Sequence, residues 1–353
     1  MKIAQVASLI ESIPPKRYGD AERVVSYLTE ELVRQDHEVT LFASEKSTTS
    51  ARLISCCGEP LRSNPHVKDI VPYYMIMLDK VRTMTLEFDV IHVHFDRFHF
   101  PVLSRHADRT LTTLHGRQDL TDLQQLYAAF PQMPLVSVSN NQRCPISNAN
   151  FAATIYHGLP LDLFKANLAP RGGYLSFLGR ISPDGRVDRA VAIANAANLP
   201  LKIAAKIDCV DAAYFRSEIA PLLGSRIEFI GQIDETTKPT FLGDSLALLF
   251  PVDPPEPFGL AIIEAMACGT PVIAFDRGSV QEVVDNGVTG RVVRTLEEAI
   301  SAVPQVLALD RAGVRRRFEK RFSASHMADD YLNVYCGLLR SVTSPAPGRP
   351  VPA

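Results

Sequence analysis

Glu256 and Glu264, with seven residues between them, carry the strongest chemical signal in the chain. They lie in the stretch EPFGLAIIEAMACGTPVIAF. The pattern places Glu256 in a proline-rich loop after a strand ending near Phe250. Phe258, Gly259 and Leu260 open a helix, Glu264 sits about one turn inside it, and Gly269-Thr270-Pro271 ends it before the next strand. A helix start offers unpaired backbone N–H groups and a partial positive charge, which suits a diphosphate or sugar hydroxyls. Gly259 lets the backbone come close to a ligand. An ionised glutamate accepts two hydrogen bonds in a fork and can grip neighbouring hydroxyls. By spacing alone, the same two acids also fit solvated surface residues.

Two cations are placed in a similar way. Arg180 follows the run Tyr174 to Leu178, and Lys206 follows Leu201 to Ala205; both runs read as strands. Ligands of open α/β sheets bind at the carboxyl ends of strands, so both cations are candidates for pairing with phosphate. Ordinary strand-end surface cations would look the same. His115 closes the strand Thr110 to Leu114, a position where a histidine can be structural or functional. Gly19 precedes a helix after the first strand's loop.

The elements that must position these residues alternate along the chain. Strands are expected at Ile3 to Ser8, Val39 to Ala43, Val90 to His94, Thr110 to Leu114, Leu135 to Val138 and Ala153 to Tyr156. A helix from Ala21 to Arg34 has Val24, Leu28 and Leu32 on one stripe. The run Gly158 to Gly173, with Pro160, Pro170 and a double glycine, reads as a linker. A second series follows, with strands at Tyr174 to Leu178, Leu201 to Ala205, Ile227 to Ile230, Ala247 to Phe250, Val272 to Phe275 and Arg291 to Val293. Helices fall between them at Val187 to Ala197, Ala212 to Leu223 and Leu260 to Ala267. Alternation of this kind predicts parallel sheets covered by helices. The expected organisation is a lobe over residues 1–160, a second over 161–325, a helix over 326–342 packing across both, and a disordered proline-rich tail over 343–353.

Composition narrows the function. The chain has 353 residues, 46% of them hydrophobic, enough for two cores. Its net charge of −2 carries no basic surplus, which argues against a nucleic-acid partner. The six cysteines include no CxxC pair, so neither a zinc site nor a redox pair is indicated, and reduced thiols in a cytoplasm are the simple reading. No apolar run reaches bilayer-spanning length; peripheral membrane contact stays open. His92, His94 and His99 with Asp96 have some ligand character, but no third ligand has convincing spacing, and no metal is expected. Asp96 and Arg97 are then candidates for lining an acceptor. Ser139-Asn140-Asn141 could touch an acceptor or merely turn. There is no GxGxxG turn after the first strand and no GxSxG elbow.

The acidic stretch resembles the E-x7-E signature of retaining glycosyltransferases of family 4, which have the GT-B fold. The likeness extends further. GDAERVVSYLTEELVRQDHEVTLFAS is similar to the family's glycine-rich first turn and helix, TLHG to its histidine turn, FLGRISPDGR to its phosphate loop, and DNGVTG to a turn near its C-terminal end. It runs over roughly residues 1 to 340 in the same order. The resemblance implies an α/β GT-B architecture of two doubly wound, Rossmann-like lobes with a central cleft. It implies that Glu264 binds the ribose hydroxyls of a nucleoside-diphosphate sugar and that Glu256 holds the donor sugar. The backbone of Phe258, Gly259 and Leu260 would contact sugar and phosphate, Arg180 and Lys206 the diphosphate, and His115 the donor sugar. No cofactor and no metal are implied. UDP is the favoured base on family frequency, and the acceptor would be a saccharide, a lipid or a small natural product.

Two departures from the family pattern stand out. The family usually has two glycines where this chain has Gly19-Asp20, and an acid facing a diphosphate would be repelled. The family commonly has Lys-Gly where this chain has Gly185-Arg186, so Arg186 either replaces the lysine's charge from one position later or lies in solvent. Two rival readings accompany the transferase: a nucleotide-sugar epimerase on the same double fold, and a decayed protein that binds sugar nucleotides without catalysis.

Overall fold

A computed structural model describes residues 1–16, 19–95 and 97–343. Asp96 and the tail beyond Thr343, both subjects of sequence expectations, lie outside the described residues. The chain forms two compact units. One comprises Met1–Val138, Arg143–Tyr156 and the chain from Ser325; the other comprises Ser139–Gln142 and His157–Ala324. The C-terminal helix, Ala324–Thr343, is longer than expected and belongs from Ser325 to the first unit.

The first unit is built on β1 (Lys2–Val6), β2 (Glu38–Ser44), β3 (Arg52–Cys57), β4 (Val90–Val93), β5 (Thr110–Leu114), β6 (Leu135–Ser137) and β7 (Phe151–Thr154). The strands are parallel, in the order β3-β2-β1-β4-β5-β6-β7. A parallel strand covered on both faces must be apolar throughout, and Ile3, Ala4 and Val6 of β1 are fully buried. Gln5, the polar exception, is fully buried as well and becomes part of a hydrogen-bonded network. Residues 56 to 74, for which the sequence pattern assigns no element, contribute the end of β3 and the start of a helix, Val71–Thr83.

The second unit contains β8 (Leu175–Ile181), β9 (Leu201–Ile207), β10 (Ile227–Gly231), β11 (Ala247–Phe250), β12 (Val272–Phe275) and β13 (Gly290–Val293). These are also parallel, in the order β10-β9-β8-β11-β12-β13. Leu175, Phe177, Ile203, Leu249, Ile273 and Val303 meet in its core. In each sheet the strand order reverses once, between β1 and β4 and between β8 and β11. Such a reversal leaves a crevice at the carboxyl ends of the strands, the usual ligand position of doubly wound sheets.

Two expectations change here. β8 and β9 run past Leu178 and Ala205, so Arg180 and Lys206 lie inside the strands, where they are register partners. The continuous helix expected over Ala212 to Leu223 is divided into a short α-helical piece, a π turn over Phe215–Ile219 and a 3-10 turn over Ala220–Leu222. Pro221 lacks an amide hydrogen and cannot continue an α-helical ladder.

Candidate active site

In the second unit the candidate residues sit on loops and strand ends at the reversal of strand order. Arg180 and Lys206 stand opposite each other on neighbouring strands. Like charges in that position repel, and here aspartates offset them. Asp208 approaches Lys206 Nζ at 2.6 Å and Arg180 Nη1 at 3.7 Å, and Asp211 lies 3.8 Å from Arg180 Nε. The two cations therefore form a pair whose counter-ions are carboxylates of the same chain. Neither aspartate stood out in the sequence, because acids just after a strand are common in loops.

The turn after β8 is closed by Ser182, whose Oγ accepts from the amide of Gly185 at 3.1 Å. Arg186 follows with φ +53°, a left-handed conformation at the position where the family pattern has glycine. Its guanidinium is not left in solvent. It donates to Asp188 at 2.8 Å and to Asp253 at 2.6 Å. Arg189 also donates to Asp253 at 2.6 Å, and Arg277 lies 3.7 Å from the same carboxylate. The amide of Asp253 donates to the carbonyl of Asp184 at 3.0 Å. Asp253 thus fastens the loop after β11 to the turn after β8 and draws in three arginines from two segments. The charge of Arg186 is part of that junction.

The loop after β11 leads to Glu256 and the helix mouth. Glu256 Oε1 accepts from the amide of Gly259 at 3.1 Å. Gly259 caps the helix Leu260–Ala267 with φ +82°. Glu256 is held from behind by backbone. The amide of Ser279 donates to its carbonyl at 2.9 Å, and a Cβ at Gly278 would fall 2.2 Å from that oxygen. Gly278 is needed for this close approach, and a lone glycine after a strand did not announce it. Phe258 and Leu260, on either side of Gly259, are buried.

Glu264 projects from the second turn of the same helix and is only 2% exposed. Its Oε1 accepts from Lys238 Nζ at 2.6 Å. Lys238 opens the helix Lys238–Gly243, and its side chain is 7% exposed. Glu235 Oε2 lies 3.8 Å from the same ammonium. The reading of Glu264 as a solvated surface acid is thereby excluded. Burial would drive an isolated glutamate towards its neutral form, and the lysine offsets that cost. Lys238 was not singled out in the sequence, where it reads as an exposed cation in a polar loop.

The first unit holds His115 in a different environment. His115 Nε2 and His94 Nδ1 are 3.2 Å apart, and His94 Nε2 lies 2.5 Å from Gln5 Oε1. Gln5 donates to Tyr335 Oη at 3.3 Å, Tyr335 Oη lies 2.7 Å from His92 Nδ1, and His92 Nε2 lies 2.7 Å from Thr113 Oγ1. Tyr331 completes the chain at 2.8 Å from Thr113. One proton arrangement satisfies these bonds with every ring neutral. His115 donates to His94, His94 to Gln5, Tyr335 to His92, and His92 to Thr113. Desolvation supports it, lowering His115 to about 4 and His92 well below its ordinary value. His99 is occupied by Thr112 Oγ1 at 2.7 Å. Among the described residues, no group of three or more His, Cys, Asp or Glu is disposed to hold a metal ion.

Gly19 caps the first helix, where a Cβ would lie 2.8 Å from Glu22 Oε2. Asp20 is exposed in that helix's first turn, 3.6 Å from Arg23, so its charge has a local counter-ion and a favourable place on the helix dipole. The backbone amides of Asn140 and Asn141 donate to Glu282 at 2.7 and 2.8 Å, which gives that turn a structural role.

The model for Glycosyltransferase Family 4 matches residues 21–172, and that for Glycosyl transferases group 1 matches residues 164–321. Between them they span both units. The chain belongs to glycosyltransferase family 4. A D-inositol 3-phosphate glycosyltransferase of Mycobacterium leprae is 33% identical over half of this family 4 chain and 40% of its own length. A probable sucrose-phosphate synthase of Thermosipho melanesiensis is 42% identical over 22% of the chain and 19% of its own length. The chain thus aligns with two fifths or less of these curated relatives. Among solved structures, a sucrose-phosphate synthase from Thermosynechococcus elongatus superposes with a TM-score of 0.78 over 97% of this chain and all of its own, at 21% identity. An Anabaena protein in complex with UDP and glucose gives 0.71 over 96% of this chain and all of its own, at 17% identity. The architecture is the GT-B fold. Among the described residues, no helix is long and apolar enough to cross a membrane.

Proposed function

We propose that this family 4 protein transfers a sugar, with retention of anomeric configuration, from a nucleoside-diphosphate sugar to an acceptor hydroxyl. The observation that carries the reading is the helix mouth at Gly259, with Glu256 folded onto it and Glu264 paired with Lys238 inside the same helix. In this reading Glu264 takes the ribose hydroxyls, Glu256 takes the sugar, and the amides of Phe258 to Leu260 face sugar and phosphate. Arg180 and Lys206 neutralise the departing diphosphate in place of a metal. The neutral His115 hydrogen-bonds the donor sugar. The acceptor proton passes to the leaving diphosphate as the acceptor attacks from the same face. UDP is the favoured nucleotide, a base also present in the Anabaena neighbour's complex. A cytoplasmic location is part of this reading, as expected from the scattered cysteines.

A thermal-shift screen over UDP, GDP, ADP and TDP sugars identifies the donor, because a ligand that binds only the folded state raises the melting point. Product NMR with that donor and saccharide, lipid or small-molecule acceptors then reads the anomeric outcome, and chelator should leave the rate unchanged. Unaltered transfer rate and donor affinity in both Glu264→Ala and Arg180→Ala would end the proposal. One observation favours a second reading, a sugar-nucleotide-binding protein without transfer: Arg180 and Lys206 already carry Asp208 and Asp211. Binding without hydrolysis or transfer across the acceptor panel would select it.

A further inference from the structure

Lys238 belongs to no sequence motif identified above, yet it is the buried cation of the site. Its ammonium lies 2.6 Å from Glu264 Oε1, and both side chains are almost wholly withdrawn from water. Two buried charges in good geometry hold each other in place, and removing one leaves the other uncompensated. Lys238 and Glu264 are 26 positions apart and sit on separate helices, Lys238–Gly243 and Leu260–Ala267. The pairing is therefore a product of the fold.

The distinction that matters is chemical. A carboxylate accepts hydrogen bonds from two neighbouring hydroxyls, whereas a protonated carboxyl must donate through one of its oxygens. A glutamate at 2% exposure keeps its charge only where a cation or several donors support it. Among the described ion pairs, Lys238 is the lysine that supplies that support, and Glu235 lies 3.8 Å from the same ammonium.

We infer that Lys238 is a positioning residue which keeps Glu264 ionised and oriented, and so sets the preference of the site for ribose over deoxyribose in the donor nucleotide. This rests on the reading that Glu264 takes the ribose hydroxyls. Lys238 acts through Glu264 and contacts no reacting atom.

The test compares UDP with 2′-deoxy-UDP and 3′-deoxy-UDP by calorimetry, on the full chain. The wild type should prefer UDP by about 10- to 100-fold, the span of a charge-assisted hydrogen bond. Lys238→Met should bind UDP more weakly and lose most of that preference, with KM raised more than kcat is lowered. Lys238→Arg should restore it. Should Lys238→Met fail to fold, Lys238→Gln keeps a hydrogen-bond donor without the charge and should show the same loss. A folded Lys238→Met or Lys238→Gln protein that still discriminates like the wild type overturns the inference, as does Lys238→Arg that folds but does not discriminate. A wild type that binds UDP and both deoxy forms equally overturns the ribose role of Glu264 instead. A protein that binds none of them overturns the nucleotide reading itself.

Discussion

The two sheets share one strand order around their reversal points, β3-β2-β1-β4 and β10-β9-β8-β11, and put opposite chemistry there. At the first, Gln5, His92, His94 and His115 join Thr113, Tyr331 and Tyr335 in a neutral hydrogen-bonded chain. At the second, Arg180, Lys206, Arg186 and Arg189 meet Asp208, Asp211, Asp188 and Asp253 as ions. Topology selects the place, and solvent access selects the chemistry. His92 and His94 are packed inside the first unit and His115 is half-buried beside them; desolvation lowers His92 and His115 towards the neutral ring. The ions of the second unit sit on emerging strand ends and loops, partly exposed, where water keeps charge cheap. Glu264 is the instructive exception, a carboxylate as buried as the histidines that remains an ion because Lys238 is beside it.

The sharpest way to break this comparison is to remove that exception. Glu264→Ala takes the 2.6 Å partner from the buried ammonium of Lys238 and leaves it Glu235 at 3.8 Å, which should cost about 3 kcal/mol in denaturant unfolding. A loss below about 1 kcal/mol would place the pair with the exposed ions.

Acid should separate the two regions next. His115 has its folded-state value lowered to about 4 against an ordinary 6.5. A depressed histidine leaves stability complete above about pH 6.5, and stability falls as the pH drops towards 4, because the unfolded chain binds the proton first. The fall amounts to roughly 3 kcal/mol at most for His115, and His92 acts in the same direction. His115→Gln should flatten melting temperature against pH over that window. An unchanged profile would mean that the ring is not held neutral.

Tyr335→Phe removes one hydroxyl from the neutral chain and leaves His92 and Gln5 each short of a partner atom. Its cost should be about 1–3 kcal/mol by thermal unfolding. The smallest effect belongs to the exposed ions. Asp208→Asn should alter stability by less than about 1 kcal/mol. It should tighten UDP by roughly 3- to 10-fold at low salt, because one competing negative charge is gone, and the gain should shrink as salt is added. Unchanged affinity in Asp208→Asn would show that the diphosphate does not meet Arg180 and Lys206.

Much of the frame was legible residue by residue. β11, β12 and the helix Leu260–Ala267 begin and end where the sequence pattern puts them, because apolar runs are bounded there by glycine and proline. The apolar runs of β8 and β9 stop short of the strands, because Arg180 and Lys206 look like exits from a strand while the ladder continues through them. The acids Glu256 and Glu264 were visible through their spacing. Asp208, Asp253 and Gly278 were not, since a loop aspartate or glycine has no local signature.

What the sequence determined by itself is the period of the elements, their parallel arrangement in two sheets, and the helix mouth between Glu256 and Glu264. These follow from short-range rules of hydrophobic spacing, backbone freedom and helix ends. Only the tertiary structure decided which groups keep or lose their charge and beside which partner: Glu264 beside Lys238, Arg186 beside Asp253, and the neutral His92 beside Tyr335. The physical reason is that charge state depends on the water and partners left around a group after folding, and those partners come from segments far apart in the chain.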